Sequence, residues 1–169
     1  MAEIGYYTGA VLAKRDEKDR LALPAGLRNS IPGDPKTRSI YVSMHEDSPC
    51  LIGSGSDRVA RLDAYVEKLE EVAIRRDKPF NVTAARRKLF GGQVIPLDGS
   101  GRFTMPDNLW DLGDYDGELF FLGMGDYFEI WDLDGLLALK GEEYEPAQMQ
   151  ARAAIRARDK AAAKKAATP

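Results

Sequence analysis

The sequence predicts a β-rich α+β protein built from two copies of one small module. Three observations carry this: a charged motif that occurs twice, apolar patterning on both sides of each occurrence, and a proline at the same distance beyond it. Asp16-Glu17-Lys18-Asp19-Arg20 returns as Asp98-Gly99-Ser100-Gly101-Arg102. Around it, Arg20-Leu21-Ala22-Leu23-Pro24 and Leu27 match Arg102-Phe103-Thr104-Met105-Pro106 and Leu109 at an offset of 82, and Gly9 falls on Gly91 at the same offset. Tyr41-Val42-Ser43 aligns with Phe120-Phe121-Leu122, and Leu51-Ile52 with Ile130-Trp131, at an offset of 79. The first copy therefore carries three extra residues, placed most simply around Pro32-Gly33-Asp34-Pro35.

Within each copy the order is strand, tight turn, strand, short helix, strand, strand. Val11-Leu12-Ala13 and Val94-Ile95-Pro96-Leu97 run into the turns, and Leu21 and Leu23, or Phe103 and Met105, run out of them, which reads as a hairpin. Gly99 and Gly101 supply the positive φ such a turn needs, and in the first copy Asp19 has to adopt it instead, which Asp tolerates better than most residues. Pro24 and Pro106 stand where a first helical residue belongs, with Gly33 and Gly113 beyond the helix ends. Strands are expected over 39–44 and 50–52, then over 118–122 and 127–131.

Between the copies, Gly53-Ser54-Gly55-Ser56 reads as a flexible linker whose Ser56 caps a helix carrying Val59, Leu62, Val66, Leu69 and Val72. Pro79 ends or interrupts that helix, and a basic second one runs from about Thr83 to Phe90. After Trp131, Asp132 or Asp134 caps a last short helix through Lys140. From Pro146 the composition turns to Ala, Arg and Lys with almost no apolar face, so the end reads as a mobile, partly helical tail. The expected division is residues 5–55 for the first copy, 56–90 for connecting helices, 91–140 for the second copy and 146–169 for the basic tail.

Charge is distributed unevenly along the chain. The net charge of -3 combines a neutral stretch 1–50, +3 over 51–90, -11 over 91–145 and +5 over 146–169. Lys14, Arg15, Lys18 and Arg20 crowd the first turn, whereas the second has Arg102 alone. A phosphate-facing surface would therefore come from the first copy. One cysteine, Cys50, excludes an internal disulfide and a thiolate metal site, and it reads as packed in a strand. The single histidine, His45, beside Glu46 and Asp47, reads as an exposed turn residue. With one histidine and no metal-ligand cluster, no enzyme, cofactor or metal site is expected. No secretory leader or membrane span is expected either, which places the chain in the cytoplasm.

Tyr7-x-Gly9, Asp16-x-Lys18-x-Arg20-Leu21-x-x-Pro24, Pro49-Cys50-Leu51, Leu97-Asp98-Gly99-x-Gly101-Arg102 and Phe128-Glu129-Ile130-Trp131-Asp132 together resemble the MraZ family, within the wider AbrB-like (SpoVT-AbrB) group. The resemblance spans roughly residues 5 to 140. It implies two tandem AbrB-like swapped-hairpin β-barrel halves with connecting helices. It also implies a ring-shaped homo-oligomer, and a nucleoid-associated repressor of its own division and cell-wall gene cluster that binds tandem promoter repeats in double-stranded DNA. Asp19 stands where that family usually has glycine, and Leu136 to Leu139 where a second tryptophan is common.

On this reading Arg20, Lys18, Arg15 and Lys14 face DNA, while Asp16, Asp98 and Arg102 hold the turns. A carboxylate facing phosphate is repelled, whereas the forked donors of Arg20 suit a carboxylate, a phosphate or a guanine edge. Arg86-Arg87-Lys88 offers a further basic face, for DNA, solvent or a neighbouring protomer. The tail either adds DNA affinity or balances the acidic second copy. Two other readings remain open at this point: a structural or protein-binding ring, suggested by the acidic second half and Asp19, and an AbrB-like antitoxin, against which the second full copy argues.

Overall fold

The computed structural model describes residues 3–168. Eight strands and six helices follow in order: β1 Ala10–Ala13, β2 Leu21–Ala22, α1 Ala25–Arg28, β3 Ser39–Met44, β4 Leu51–Gly55, α2 Leu62–Arg75, α3 Val82–Phe90, β5 Gln93–Pro96, β6 Arg102–Phe103, α4 Asp107–Gly113, β7 Leu119–Gly123, β8 Phe128–Asp132, α5 Leu133–Ala138 and α6 Glu145–Ala166. The architecture is α+β. An antiparallel six-stranded sheet has the order β1-β7-β8-β4-β3-β5, and β2 pairs with β6 in a separate ribbon.

The two copies interlock. β1 does not pair with β2 across the first turn; it pairs with β7 of the second copy, Ala10 opposite Leu122 and Ala13 opposite Leu119. Reciprocally, β5 pairs with β3 of the first copy, Ile40 opposite Ile95, and the β2–β6 ribbon joins Leu21 to Phe103. The expected hairpins are thus corrected. Each turn closes on itself, but the strands entering and leaving it find partners in the other copy. Sequence patterning marks which residues are extended and cannot tell which strand supplies the partner.

Side-chain alternation along the strands separates three apolar clusters. One face carries Ile40, Val42, Leu51, Ile95, Leu119, Phe121, Phe128 and Ile130, packed with Leu21, Phe103, Leu27 and Leu109 from the ribbon and short helices. On the opposite face, Phe120, Leu122 and Trp131 meet Leu133 and Leu136 of α5 and Ala147 and Ala151 of α6. Beside them, Tyr41 and Ile52 meet Leu62 and Val66 of α2 and Leu89 of α3. Helices therefore cover the outer face twice, once after each copy. That is why Leu119-Phe120-Phe121-Leu122 is apolar without interruption: both faces of β7 are buried.

Several local expectations change. Gly53, Ser54 and Gly55 are buried residues of β4 rather than linker. A Cβ on Gly53 would lie 2.5 Å from the ring of Phe128, its partner across the ladder, so glycine lets that ring cross the strand. Ser56 caps nothing: Gly55 precedes a 3-10 segment, Ser56–Arg61, without a side-chain cap. Pro24 and Pro106 sit one residue before their helices. Gly113 lies inside α4, and Asp114, at φ 52, takes the left-handed position after it. α2 ends before Pro79, where Asp77 at φ 51 lets the Lys78 amide donate to the Ala73 carbonyl at 2.9 Å. Asn81 caps α3 and Asp132 caps α5, each accepting a backbone amide at 2.9 Å.

The largest change is at the end of the chain. The expected mobile tail is a 22-residue helix, α6. Ala147, Gln148 and Ala151 are buried, and Ala154 and Ile155 extend the contact onto Ala10 and Leu12 of β1. Small residues hid this face: alanine contributes little to an apolar pattern yet lets a helix lie close to a sheet.

Candidate nucleic-acid interface

Each charged turn is organised around its aspartate. Asp16 Oδ1 accepts the Lys18 amide at 2.8 Å and the Arg20 amide at 2.9 Å, and Oδ2 accepts Arg20 Nε at 2.9 Å. Asp98 Oδ1 likewise accepts the Ser100 and Arg102 amides at 2.8 and 2.9 Å, and Oδ2 accepts Arg102 Nε at 3.2 Å. The Asp16 amide donates to the Arg20 carbonyl at 2.8 Å and the Asp98 amide to the Arg102 carbonyl at 2.9 Å. The turn residue at positive φ is Asp19 in one (57°) and Gly101 in the other (78°). Asp is one of the few residues able to take glycine's place there.

Hydrogen-bond donors and nearby positive charge stabilise an ionised carboxylate. The Arg20 amide foremost, with the Lys18 amide and the Arg20 guanidinium, holds the Asp16 carboxyl below its usual range. The Arg102 amide, with the Ser100 amide and the Arg102 charge, does the same for Asp98. Both aspartates remain anions whose oxygens point into the turn.

Strand exchange brings the two turns side by side. Arg20 Nη1 lies 4.0 Å from Asp98 Oδ2, and the Leu23 amide donates to the Gly101 carbonyl at 2.9 Å. Each turn also rests on the short helix of the other copy. The Arg15 guanidinium stacks over Trp110 of α4, 4.2 Å from the ring centroid, and its Nη1 lies 3.9 Å from Asp19. Arg28 of α1, which aligns with Trp110 at the same offset of 82, donates from Nη1 to the Ser100 carbonyl at 2.6 Å. Lys14 and Lys18 are exposed and make no ion pair among the described residues.

The sequence reading separated Arg20, facing DNA, from Arg102, holding its turn. In the structure both guanidiniums grip their own aspartate, and both are part-exposed. The reading also missed Arg28 and Arg38, which line a cavity of ≈ 290 Å³ beside the second turn with Asp98, Gly99 and Gly101. These two arginines lie about sixty to seventy positions before that turn. The one signal that could have found Arg28 is its alignment with Trp110, and Arg38 has no such counterpart.

Of the remaining candidates, Arg87 is exposed and makes no ion pair among the described residues, and the others are occupied within the fold. Arg86 pairs with Asp63 at 2.7 Å and Lys88 Nζ donates to the Glu46 carbonyl at 3.1 Å. His45 is buried, not exposed: its Nδ1 accepts the Asp47 and Ser48 amides at 3.0 Å each, closing the turn from inside. Cys50 is buried, and burial foremost, with the nearby Glu129 and Glu46 carboxylates, pushes its thiol well above the usual range. Among the described residues no group of three potential metal ligands comes together, and no helix is long and apolar enough to cross a membrane.

No protein-family model matches the chain. Curated relatives do. A protein of Saccharophagus degradans named transcriptional regulator MraZ is 30% identical over 135 residues, covering 78% of this chain and 86% of its own length. The chain belongs to the MraZ family. Proteins also named transcriptional regulator MraZ, from Ruegeria, 32% identical over 80% of this chain and 78% of the relative, and from Caulobacter vibrioides, 29% identical over 87% and 89%, extend the likeness across both copies. In this MraZ-family chain the paired turns form a surface that is exposed, charged and duplicated, with its basic residues gathered on the first turn.

Proposed function

We propose that the chain is a sequence-specific DNA-binding transcriptional regulator and that the first turn supplies most of its DNA contacts. The observation that carries this is the concentration of Lys14, Arg15, Lys18 and Arg20 on one rigid turn, with Lys14 and Lys18 exposed and unpaired among the described residues. Membership of a family whose relatives bear the name transcriptional regulator supports it. Lys14 and Lys18 contact phosphates, and the outward N–H groups of Arg20 reach a base edge or phosphate while Asp16 fixes its plane.

Residues 5–55 and 91–140 form two tandem AbrB-like halves, the interlocked strands being their exchange, with 56–90 connecting them. One turn touches few phosphates, and such contacts alone bind on the order of 10⁻⁴ to 10⁻⁶ M at physiological salt. A ring-shaped homo-oligomer presenting several first turns to tandem promoter repeats raises this by roughly 10² to 10⁴. The regulator represses its own division and cell-wall gene cluster, in the cytoplasm, at the nucleoid.

The test is operator binding by Arg20→Ala and Arg102→Ala to a duplex of the chain's own upstream region, followed through a salt titration with circular dichroism as folding control. Arg20→Ala abolishes binding and Arg102→Ala leaves it nearly unchanged. Equal losses from two folded variants would mean that both turns read DNA, and a loss confined to Arg102→Ala would move the site to the second copy.

A further inference from the structure

We infer that the second half of α6 is a phosphate-contacting arm aligned with the first turn and not with the second. The inference rests on the reading that the first turn meets DNA and adds an element that the turn motif does not contain.

The direction of α6 carries it. Near its start, Pro146, Ala147 and Gln150 border a cavity with Leu122 and Gly123, at the end of β7. Further along, Ala154, Ala157 and Arg158 border another with Ala10 to Lys14 and Glu118, just before β7 begins. Arg158 Nη1 is bonded to Glu118. Because Ala13 lies opposite Leu119 in the ladder, Glu118 marks the level of Lys14. α6 therefore runs antiparallel to β7 and parallel to β1, and both α6 and β1 head for the first turn.

Beyond Arg158, the helix continues to Ala166. At 1.5 Å per residue that is about 12 Å of further helix. The first turn begins at Asp16, two residues past Lys14, or roughly 7 Å of extended chain. The end of α6 thus draws level with the turn. This stretch carries Lys160, Lys164 and Lys165, all exposed. From Arg158, the seven steps to Lys165 return to within about 20° of the same face, and Lys164 lies about 120° around the helix. No ion pair holds these lysines among the described residues, whereas Arg158, which anchors the helix, is paired to Glu118 and Asp159.

Beside the second turn stand Arg28 and Arg38, of which Arg28 is bonded to the Ser100 carbonyl. The helix leading to that turn, α3, has Arg86 and Lys88 committed to Asp63 and the Glu46 carbonyl, and of its basic cluster Arg87 alone is exposed without an ion pair among the described residues. Ion pairing of the α6 lysines with Glu17 or Asp19 is the competing role, and it would act on the fold without touching DNA.

The experiment uses the full chain, with Lys160, Lys164 and Lys165 all changed to Ala, and separately all changed to Arg. Alanine preserves helix propensity and Arg preserves charge. Binding to the upstream duplex and to a random-sequence duplex is read by fluorescence anisotropy between about 50 and 200 mM salt, beside Arg20→Ala, with circular dichroism and light scattering as controls for folding and assembly. The Ala variant is expected to weaken binding to both duplexes by the same factor, and to reduce the salt slope by about 0.9 for each phosphate it no longer neutralises. The Arg variant keeps affinity and slope. If the Ala variant binds both duplexes with unchanged slope while Arg20→Ala fails, the arm is wrong and the turn assignment stands. If it loses only the upstream duplex, or if the Arg variant loses as much as the Ala variant, phosphate contact is also refuted. If the wild-type chain binds neither duplex, the function and the arm fall together.

Discussion

The turn at Asp16–Arg20 and the turn at Asp98–Arg102 close the same set of hydrogen bonds, yet their surroundings have diverged. The first holds its positive-φ position with Asp19, rests Arg15 on Trp110 and exposes Lys14 and Lys18. The second holds that position with Gly101, which lies directly beneath Arg28: a Cβ there would come 2.3 Å from Arg28 Cδ. The backbone device is the same in both turns, and the side chains around it differ. One turn carries several basic residues within its own loop. The other has Arg102 in its own loop and takes further positive charge from Arg28 and Arg38 of the opposite copy. A rigid acceptor-centred turn is thus a reusable support, and what it presents is decided by residues that need not be near it in sequence.

The reciprocal supports give the largest way to break this comparison. Trp110 is buried and Arg28 only partly so. Trp110→Ala should cost about 3–5 kcal/mol, and Arg28→Ala, which gives up one part-exposed hydrogen bond, about 1 kcal/mol. Denaturant unfolding measures both. Similar costs would show that the two supports are equivalent and that the stacked Trp110 is not the stronger one.

Exchanging the positive-φ residues sharpens the contrast at smaller scale. Gly101→Asp should cost about 1–2 kcal/mol, because an L side chain in the left-handed region is strained and here it also displaces Arg28. Asp19→Gly should change stability by less than about 1 kcal/mol, since relief of strain is offset by a more flexible unfolded chain. Thermal unfolding of the two variants decides this, and a Gly101→Asp protein as stable as the wild type would remove Arg28 from the account.

The smallest effect concerns what the turns share. Both Asp16 and Asp98 are held below the ordinary aspartate value of 3.8. A carboxyl whose folded value is depressed contributes stability that is present above the unfolded value and lost as pH falls through the lowered folded one. Both turns should therefore stay closed at mildly acidic pH and open only below the ordinary carboxylate range. Carboxyl chemical shifts followed by NMR should place both titrations below 3.8. A normal value for one alone would show that its amide bonds do not persist in solution.

Much of the molecule follows from local sequence. The repeat of Asp-x-x-x-Arg with proline beyond it fixed the order of elements, because turn chemistry acts over a few residues and alternation over four or five. The strand expected at 39–44 is β3, and those expected over 118–122 and 127–131 are β7, Leu119–Gly123, and β8, Phe128–Asp132, each one residue further along. Tertiary structure decided the pairings. β1 chooses β7 over β2, since an apolar extended segment fits any edge of matching register and only the assembled sheet selects one. It also decided that Gly53 to Gly55 are strand, because the need for a missing side chain lies in the Phe128 ring across the ladder. It placed His45 inside, where the amides of Asp47 and Ser48 meet its ring. It turned the alanine-rich end into a helix lying along β1, a face that no hydropathy pattern reveals because alanine docks by being small. The charged residues were legible one by one, as Lys14, Arg15, Lys18 and Arg20. That Arg20 would face Asp98, and Arg15 lie on Trp110, depends on two turns 82 residues apart being folded against each other.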